Sequence, residues 1–234
     1  MSLKPAAIPL MDSGKALARS GELLIDLTSD LQLYGGALSA SGALIRNSGD
    51  AIAQAAALCR FKTGAELACD EIREAATCLT EARDKFQQAI REAETDQDPE
   101  FAQKLSECRW IKNRKDSIVL KCSISDTSRC GFLIYLLLTE PMIQTIATAG
   151  TTLERAGAGI MMRSPLSEIG GNMAACGKQL QQLSTQILEL SPDASNGQVS
   201  SQRMAYAAEK MIEAGNELMG TPKEKPKGKG WLKG

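Results

Sequence analysis

The side chains that could carry out chemistry form a small set in this sequence, and histidine is absent from it. Histidine is the usual base that activates a serine or cysteine nucleophile, a common metal ligand and the side chain that titrates near neutral pH. Its absence excludes Ser-His and Cys-His catalysis, His-ligated metal sites and pH sensing by histidine. Carboxylates and seven cysteines remain as the groups with chemical potential.

The cysteines have no CxxC pair and no other spacing typical of a metal site. They are Cys59, Cys69, Cys78, Cys108, Cys122, Cys130 and Cys176. We interpret them mainly as buried thiols that behave as small apolar residues. Disulfides are the alternative, because Cys59 and Cys69 flank a predicted turn, and three others, Cys108, Cys122 and Cys130, flank an irregular segment.

Two further segments come close to ligand-binding motifs but lack essential parts. The stretch 170–179 has the glycines and lysine of a phosphate loop, but Gln179 stands where a serine or threonine is required and no strand precedes it. Asp96, Asp98 and Glu100 lack the twelve-residue geometry of a calcium loop, and helix capping explains them. The sequence therefore predicts no catalytic centre, no cofactor and no metal site.

Both tryptophans lie among cations, Trp110 in RWIKNRK and Trp231 in KGKGWLKG. Tryptophan beside lysine or arginine is typical of a membrane interface or an acidic protein surface, and less often of a nucleic-acid strand. Trp110 could instead cover the edge of a helical bundle, whereas an unfolded tail around Trp231 has no core to cover. The predicted partner-docking residues are Trp110, Lys112, Arg114, Lys115, Lys227, Lys229, Trp231, Leu232 and Lys233.

The formal net charge of −1 is unevenly distributed along the chain. Residues 109–129 contain six cations and two anions, and residues 221–234 contain five lysines and one glutamate. The remainder is acidic, most of all between Glu66 and Asp98. An acidic body with two basic segments predicts docking to a protein partner, with a membrane surface as a further candidate, and no general nucleic-acid binding.

A seven-residue repeat of large apolar residues organises the first sixty positions, at Leu17, Leu24, Leu31, Leu38, Ile45, Ile52 and Cys59. Small residues follow four positions later, at Gly21, Thr28, Gly35, Gly42, Gly49 and Ala56. This pattern predicts a helix from Asp12 to Arg60 that another helix approaches closely. A kink is expected at Gly35-Gly36, but the unbroken repeat favours one bent helix over two.

Later segments also have heptads of large apolar and small residues. A second helix is predicted from Gly64 to a polar break at Thr95, with alanines at 68, 75, 82 and 89 that are expected to face the glycines of the first helix. A third helix is expected over 98–115, followed by an irregular connector. Three more are predicted from the heptad and capping patterns, over 141–162, after Pro165, and over 198–219.

These elements predict an all-α fold, an elongated and mostly antiparallel bundle of five or six helices with Gly/Ala heptad seams over residues 12–220. Only 4% of the residues are aromatic, which suits closely spaced helices. Residues 1–11 are expected to form an extended arm, because Pro5 and Pro9 oppose a helix. Residues 221–234 are expected to form a basic tail that is disordered until it meets a partner.

The most apolar run, Gly131 to Leu138, ends at Glu140-Pro141 and is too short to span a membrane. The favoured interpretation is a buried core helix, and the alternative is a segment that inserts into lipid or a partner. No signal peptide or transmembrane helix is evident, so an intracellular location, cytosolic or organellar, is expected.

The predicted function is a non-catalytic structural or adaptor subunit that docks to a larger assembly, such as an accessory subunit of a membrane-embedded organellar complex. The alternative is a membrane-active helical protein that keeps residues 131–138 sequestered and releases them on contact with lipid.

Overall fold

The computed structural model describes residues 2–28, 35–61, 64–95, 140–190 and 195–220, and within them every regular element is helical. A 3₁₀ turn at Lys4–Ala6 precedes six α-helices: α1 Ala7–Thr28, α2 Gly35–Cys59, α3 Ala65–Thr95, α4 Glu140–Met161, α5 Leu166–Leu190 and α6 Ser195–Met219. The predicted all-α bundle is confirmed. The helix expected over 98–115, the connector after it and the apolar run 131–138 lie outside the described residues.

The six helices form a closed ring. Each helix packs against the helix before it and the helix after it in the chain, and α6 returns to pack against α1. Neighbours are antiparallel: Gly14 of α1 lies against Gly49 of α2, whereas Gly21 lies against Gly42. We call one end of this ring the base. It contains the start of α1, the α2–α3 turn, the α4–α5 turn and the C-terminus of α6.

Each helix contains a heptad with two adjacent small residues and one large apolar residue. The first small residue lies four positions before the large residue, and the second lies three positions before it. The repeated units are Ser13-Gly14 before Leu17, Ser48-Gly49 before Ile52, Ala75-Ala76 before Leu79, Ala149-Gly150 before Leu153, Cys176-Gly177 before Leu180 and Ala207-Ala208 before Met211. All six large residues are buried, and they belong to one continuous core that includes side chains from every helix. The two small residues therefore face the neighbouring helices, and the large residue fills the centre of the ring.

Glycines form one type of interface between neighbours. A Cβ atom added to Gly49 of α2 would collide with the backbone of Gly14 and Ala18 in α1. The α5–α6 pair has the same construction, since a Cβ on Gly215 would collide with the carbonyl oxygen of Gly170. In both pairs the helices lie nearly backbone to backbone, which the larger side chains of an ordinary leucine seam would prevent.

Serines form a second type of interface, which closes the ring between α1 and α6. Ser13 donates its hydroxyl to the carbonyl oxygen of Ala207 at 2.8 Å. One heptad further along, the hydroxyls of Ser20 and Ser200 lie 2.9 Å apart, and each is also within 3.1 Å of the other residue's carbonyl oxygen. Similarly, Ser201 of α6 donates to the carbonyl oxygen of Ser184 in α5 at 2.6 Å. Small polar side chains thus bond directly to the backbone of the next helix.

The prediction of one bent helix from Asp12 to Arg60 is wrong. The chain reverses between Thr28 and Gly35, and the two halves of the repeat pack against each other as α1 and α2. Each helix directs its own large residues into the core, and the length of the segment between the helices, residues 29–34, preserves the seven-residue spacing, so the continuity of the repeat carries no information about a turn. The alanines of α3 consequently do not face the glycines of α2, because Gly42 and Gly49 contact α1.

The expected extended arm over residues 1–11 is also wrong. The chain is helical from Lys4 onwards, and Leu3 and Leu10 are buried against the core. Pro9 lies in the first turn of α1, where the amide has no acceptor within the helix, so a proline costs little there. By contrast, the predicted end of α3 at Thr95, the helix over 141–162 and the end of α6 at Met219 agree with the structure. Gly220 has the positive φ of a C-terminal cap.

We expect Gly49→Ala to lower the free energy of unfolding by about 1–3 kcal/mol, the range typical of overpacking, because the added methyl group meets the backbone of α1. Gly171→Ala is the matched control, because a Cβ at Gly171 meets no atom within 4 Å. It should raise the stability by about 1 kcal/mol through helix propensity. Urea unfolding of the two variants measures both values, and equal effects would contradict a close α1–α2 contact.

The serines provide a second test. Ser20→Ala removes the hydrogen bond between α1 and α6 and should cost about 1 kcal/mol. Ser48→Ala should be neutral or stabilising, because the Ser48 hydroxyl is buried without a hydrogen-bond partner. The same unfolding measurement distinguishes them, and a larger loss for Ser48→Ala would refute the role given to the α1–α6 serines.

Candidate docking surface

The nine predicted docking residues lie outside the described residues, so their placement stays a prediction. The structure does show where their segments join the ring. Residues 96–139, which include Trp110, follow the end of α3 and precede α4, both at the end opposite the base. Residues 221–234, which include Trp231, follow Gly220 at the base. The two basic segments therefore leave the bundle from opposite ends.

The register between α3 and α4 is fixed by three polar contacts. The thiol of Cys69 donates to the carbonyl oxygen of Gly157 at 3.1 Å. Arg73 Nε lies 3.1 Å from Glu154 Oε1, and Arg163 of the α4–α5 turn lies 3.4 Å from Glu66. Because the helices are antiparallel, these contacts place Leu67 level with Met161 at the base.

Four large apolar side chains meet solvent at this end of the α3–α4 pair. Their exposed fractions are 67% for Phe61, 58% for Leu67, 58% for Met161 and 71% for Met162. Phe61 belongs to the α2–α3 turn, Met161 ends α4, and Met162 begins the α4–α5 turn. We call these four residues the base patch. Single exposed apolar residues are ordinary, and the presence of four of them at the same end of the α3–α4 pair makes that end the candidate interaction site.

An acidic surface continues from the base patch along the outer face of α3. Asp70, Glu74, Glu81 and Asp84 follow Leu67 at helical spacing, and all four are exposed. We call these four carboxylates the acidic stripe. Asp84 pairs with Arg83, but Asp70 and Glu81 have no ion-pair partner among the described residues. Arg73 is held by Glu154 of α4, so the stripe keeps a net negative charge.

The four cysteines in the described part of the chain are free and buried, in agreement with their interpretation as core residues. Burial raises the pKa of the Cys59 and Cys78 thiols to about 11, with Glu74 and Glu81 adding to the effect at Cys78. Burial raises the pKa of Cys176 to about 12 despite a hydrogen bond from Thr152. Burial and then the charge of Asp70 raise the pKa of Cys69. These thiols are protonated at neutral pH and are poor nucleophiles.

A shallow groove of about 430 Å³ lies on the outside of the α5–α6 pair. It is lined by Gln181, Gln202, Ala205, Tyr206, Glu209 and Ile212. The ammonium group of Lys210 lies 5.6 Å from the centre of the Tyr206 ring. Within the described residues, no three His, Cys, Asp or Glu side chains are placed to hold a metal ion, and no helix is long and apolar enough to cross a membrane.

Comparison with protein-family models, with curated proteins and with solved structures gave no match to this chain. The candidate surface is therefore defined by its own geometry alone.

Two features of the site escaped the sequence reasoning. The second line of small residues was visible as a serine directly before Gly14, Gly21, Gly42 and Gly49. The four residues of the base patch have no regular spacing in the sequence, because they come from two turns and two helices. Only the pairing of α3 with α4 brings Phe61 and Met162 to the same end.

We expect the thiols of Cys59, Cys69, Cys78 and Cys176 to resist iodoacetamide in the native protein at pH 8, because the thiolate is the reactive form and their pKa values are raised. Peptide mass spectrometry should find them alkylated only after unfolding. Because unfolded cysteines ionise at lower pH, stability should also fall as the pH rises from about 9 towards 11. Rapid native alkylation of these four positions would contradict their burial.

Proposed function

We propose that this protein is a non-catalytic adaptor subunit that docks to a larger assembly through its base and its basic tail. The single observation that supports this most is the base patch, four large apolar side chains more than half exposed at one end of an otherwise well-packed ring. A surface of this kind is stabilised when a partner covers it.

The construction of the ring supports the role of a rigid body. Both flanks of each helix pack against neighbours, through glycine, alanine or serine, and the centre is filled by leucine, isoleucine and methionine. Such an interior favours a fixed shape over a ligand-binding cavity. What remains for recognition is the outer surface and the two ends.

Protonated thiols and the lack of histidine support the proposal that the protein is not an enzyme. The partner we propose is a protein, and a position on a membrane-embedded organellar complex would suit the two basic segments at opposite ends of the body. No cofactor is part of this proposal.

Removal of residues 221–234 should abolish co-purification of the partner from the native cells, while the helical circular dichroism signal stays unchanged. Phe61→Ser with Met162→Ser should weaken the same association, because it removes apolar area from the base patch. Leu188→Ser with Val199→Ser is the matched control, because these exposed apolar residues lie at the opposite end. Native mass spectrometry gives the size of the particle, and a chain that is monomeric in its native extract would refute the adaptor role.

A further inference from the structure

We propose that in the free protein the C-terminal tail, residues 221–234, docks on the base patch and the acidic stripe of its own chain. Trp231 and Leu232 would cover the apolar side chains, and the neighbouring lysines would lie along α3. This concerns the unbound protein and does not depend on the adaptor function.

The tail is long enough to reach the base patch. The tail begins at Gly220, at the base, and Trp231 follows eleven residues later. An extended chain of that length spans about 36–40 Å. The helix α6 lies opposite α3 in the ring. With neighbouring axes 8–10 Å apart, opposite axes in a regular six-membered ring are separated by about 16–20 Å. Trp231 can therefore cross the base and reach Leu67 with chain to spare.

The tail and the surface at the base are chemically complementary. The base patch offers Phe61, Leu67, Met161 and Met162, which are suitable partners for an indole ring and a leucine. The acidic stripe starts one helical turn away, at Asp70, and Glu71 lies beside it. The tail carries its cations at alternate positions, Lys223, Lys225, Lys227 and Lys229, with Lys233 after the tryptophan. An apolar pair flanked by lysines thus matches an apolar patch that continues into carboxylates along α3, and the exposed Arg60 and Arg163 beside Phe61 and Met162 direct the lysines to the α3 side of the patch.

The tail fits the base patch better than the other basic segment or an anionic lipid surface does. Residues 109–129 follow the end of α3, which is 31 residues long and therefore about 45 Å in length at 1.5 Å per residue. Trp110 comes fifteen residues after Thr95, a chain of about 50–54 Å when extended, so this segment must be almost fully stretched to reach the base patch, whereas the tail needs about half of its length. An anionic lipid surface would be repelled by the acidic stripe, whereas a cationic peptide is attracted by it. Attachment to the same chain also gives the tail a millimolar effective concentration, so a weak contact suffices.

The test uses the full-length protein with Trp110→Phe, which leaves Trp231 as the only tryptophan. We expect Trp231 emission to be shifted to the blue and protected from acrylamide, relative to a synthetic peptide of residues 221–234. Leu67→Ser with Met161→Ser should abolish the shift and the protection. Asp70→Lys with Glu74→Lys should do the same, and added salt should weaken both signals. A carbodiimide cross-link between a tail lysine and Asp70, Glu71 or Glu74 within one monomer would locate the contact.

Val199→Ser is the control for the apolar variant, and Glu209→Lys is the control for charge, because both positions are exposed on α6. Neither should change the emission of Trp231. Peptide-like emission in the parent protein would overturn the proposal, and so would an emission shift that disappears on dilution, which would indicate a second copy as the occupant. Circular dichroism confirms that each variant is folded. Co-purification of a partner is scored separately, so this proposal and the adaptor function can fail independently.

Discussion

The close approach of helix backbones at glycine is the constraint on which the rest of this structure depends. Where Gly14 meets Gly49 and Gly170 meets Gly215, there is no room for a side chain between the helices. A glycine inside a helix costs about 1 kcal/mol relative to alanine, so these positions are unfavourable unless the contact is made. The dispersion contacts of two facing backbones, and the core that the approach brings together, offset that cost. Thus the same residues that weaken each isolated helix favour the paired one.

The ring forms because small residues lie on both sides of the large apolar residue in each helix. A helix with small residues along one side can pack closely against one neighbour, whereas a helix with small residues along both sides can pack closely against two. Two pairings per helix produce either an open row or a closed ring. Here the serine contacts between α1 and α6 close it. Because both flanks of each helix are buried, only the outer face and the two ends of the ring can contact a partner, and these contain the base patch and the acidic stripe.

The fold class and most helix boundaries could be predicted from the sequence because they depend on local patterns, such as the leucine and glycine heptads and the prolines that precede α5. The pairing of helices could not. Leu24 and Leu38 are two heptads apart, a spacing that fits one continuous helix and equally two helices connected by residues 29–34, because a heptad marks the buried face of a helix and not the direction of the next one. The base patch could not be predicted either, since only the antiparallel pairing of α3 with α4 brings Leu67 and Met161 to the same level at the base. The thiols were predictable because cysteine at a seam position is usually a small core residue.

The closed ring also has a consequence for how the chain acquires its shape. The hydroxyl of Ser13 and the carbonyl of Ala207 are separated by 194 positions along the chain. During synthesis the first helix is therefore complete long before its second neighbour exists, and one of its flanks stays uncovered until α6 has left the ribosome. Helical proteins are usually rapid folders because their contacts are local. This one combines local hairpins with a final long-range closure, so we expect the closure to be slower than the formation of the hairpins.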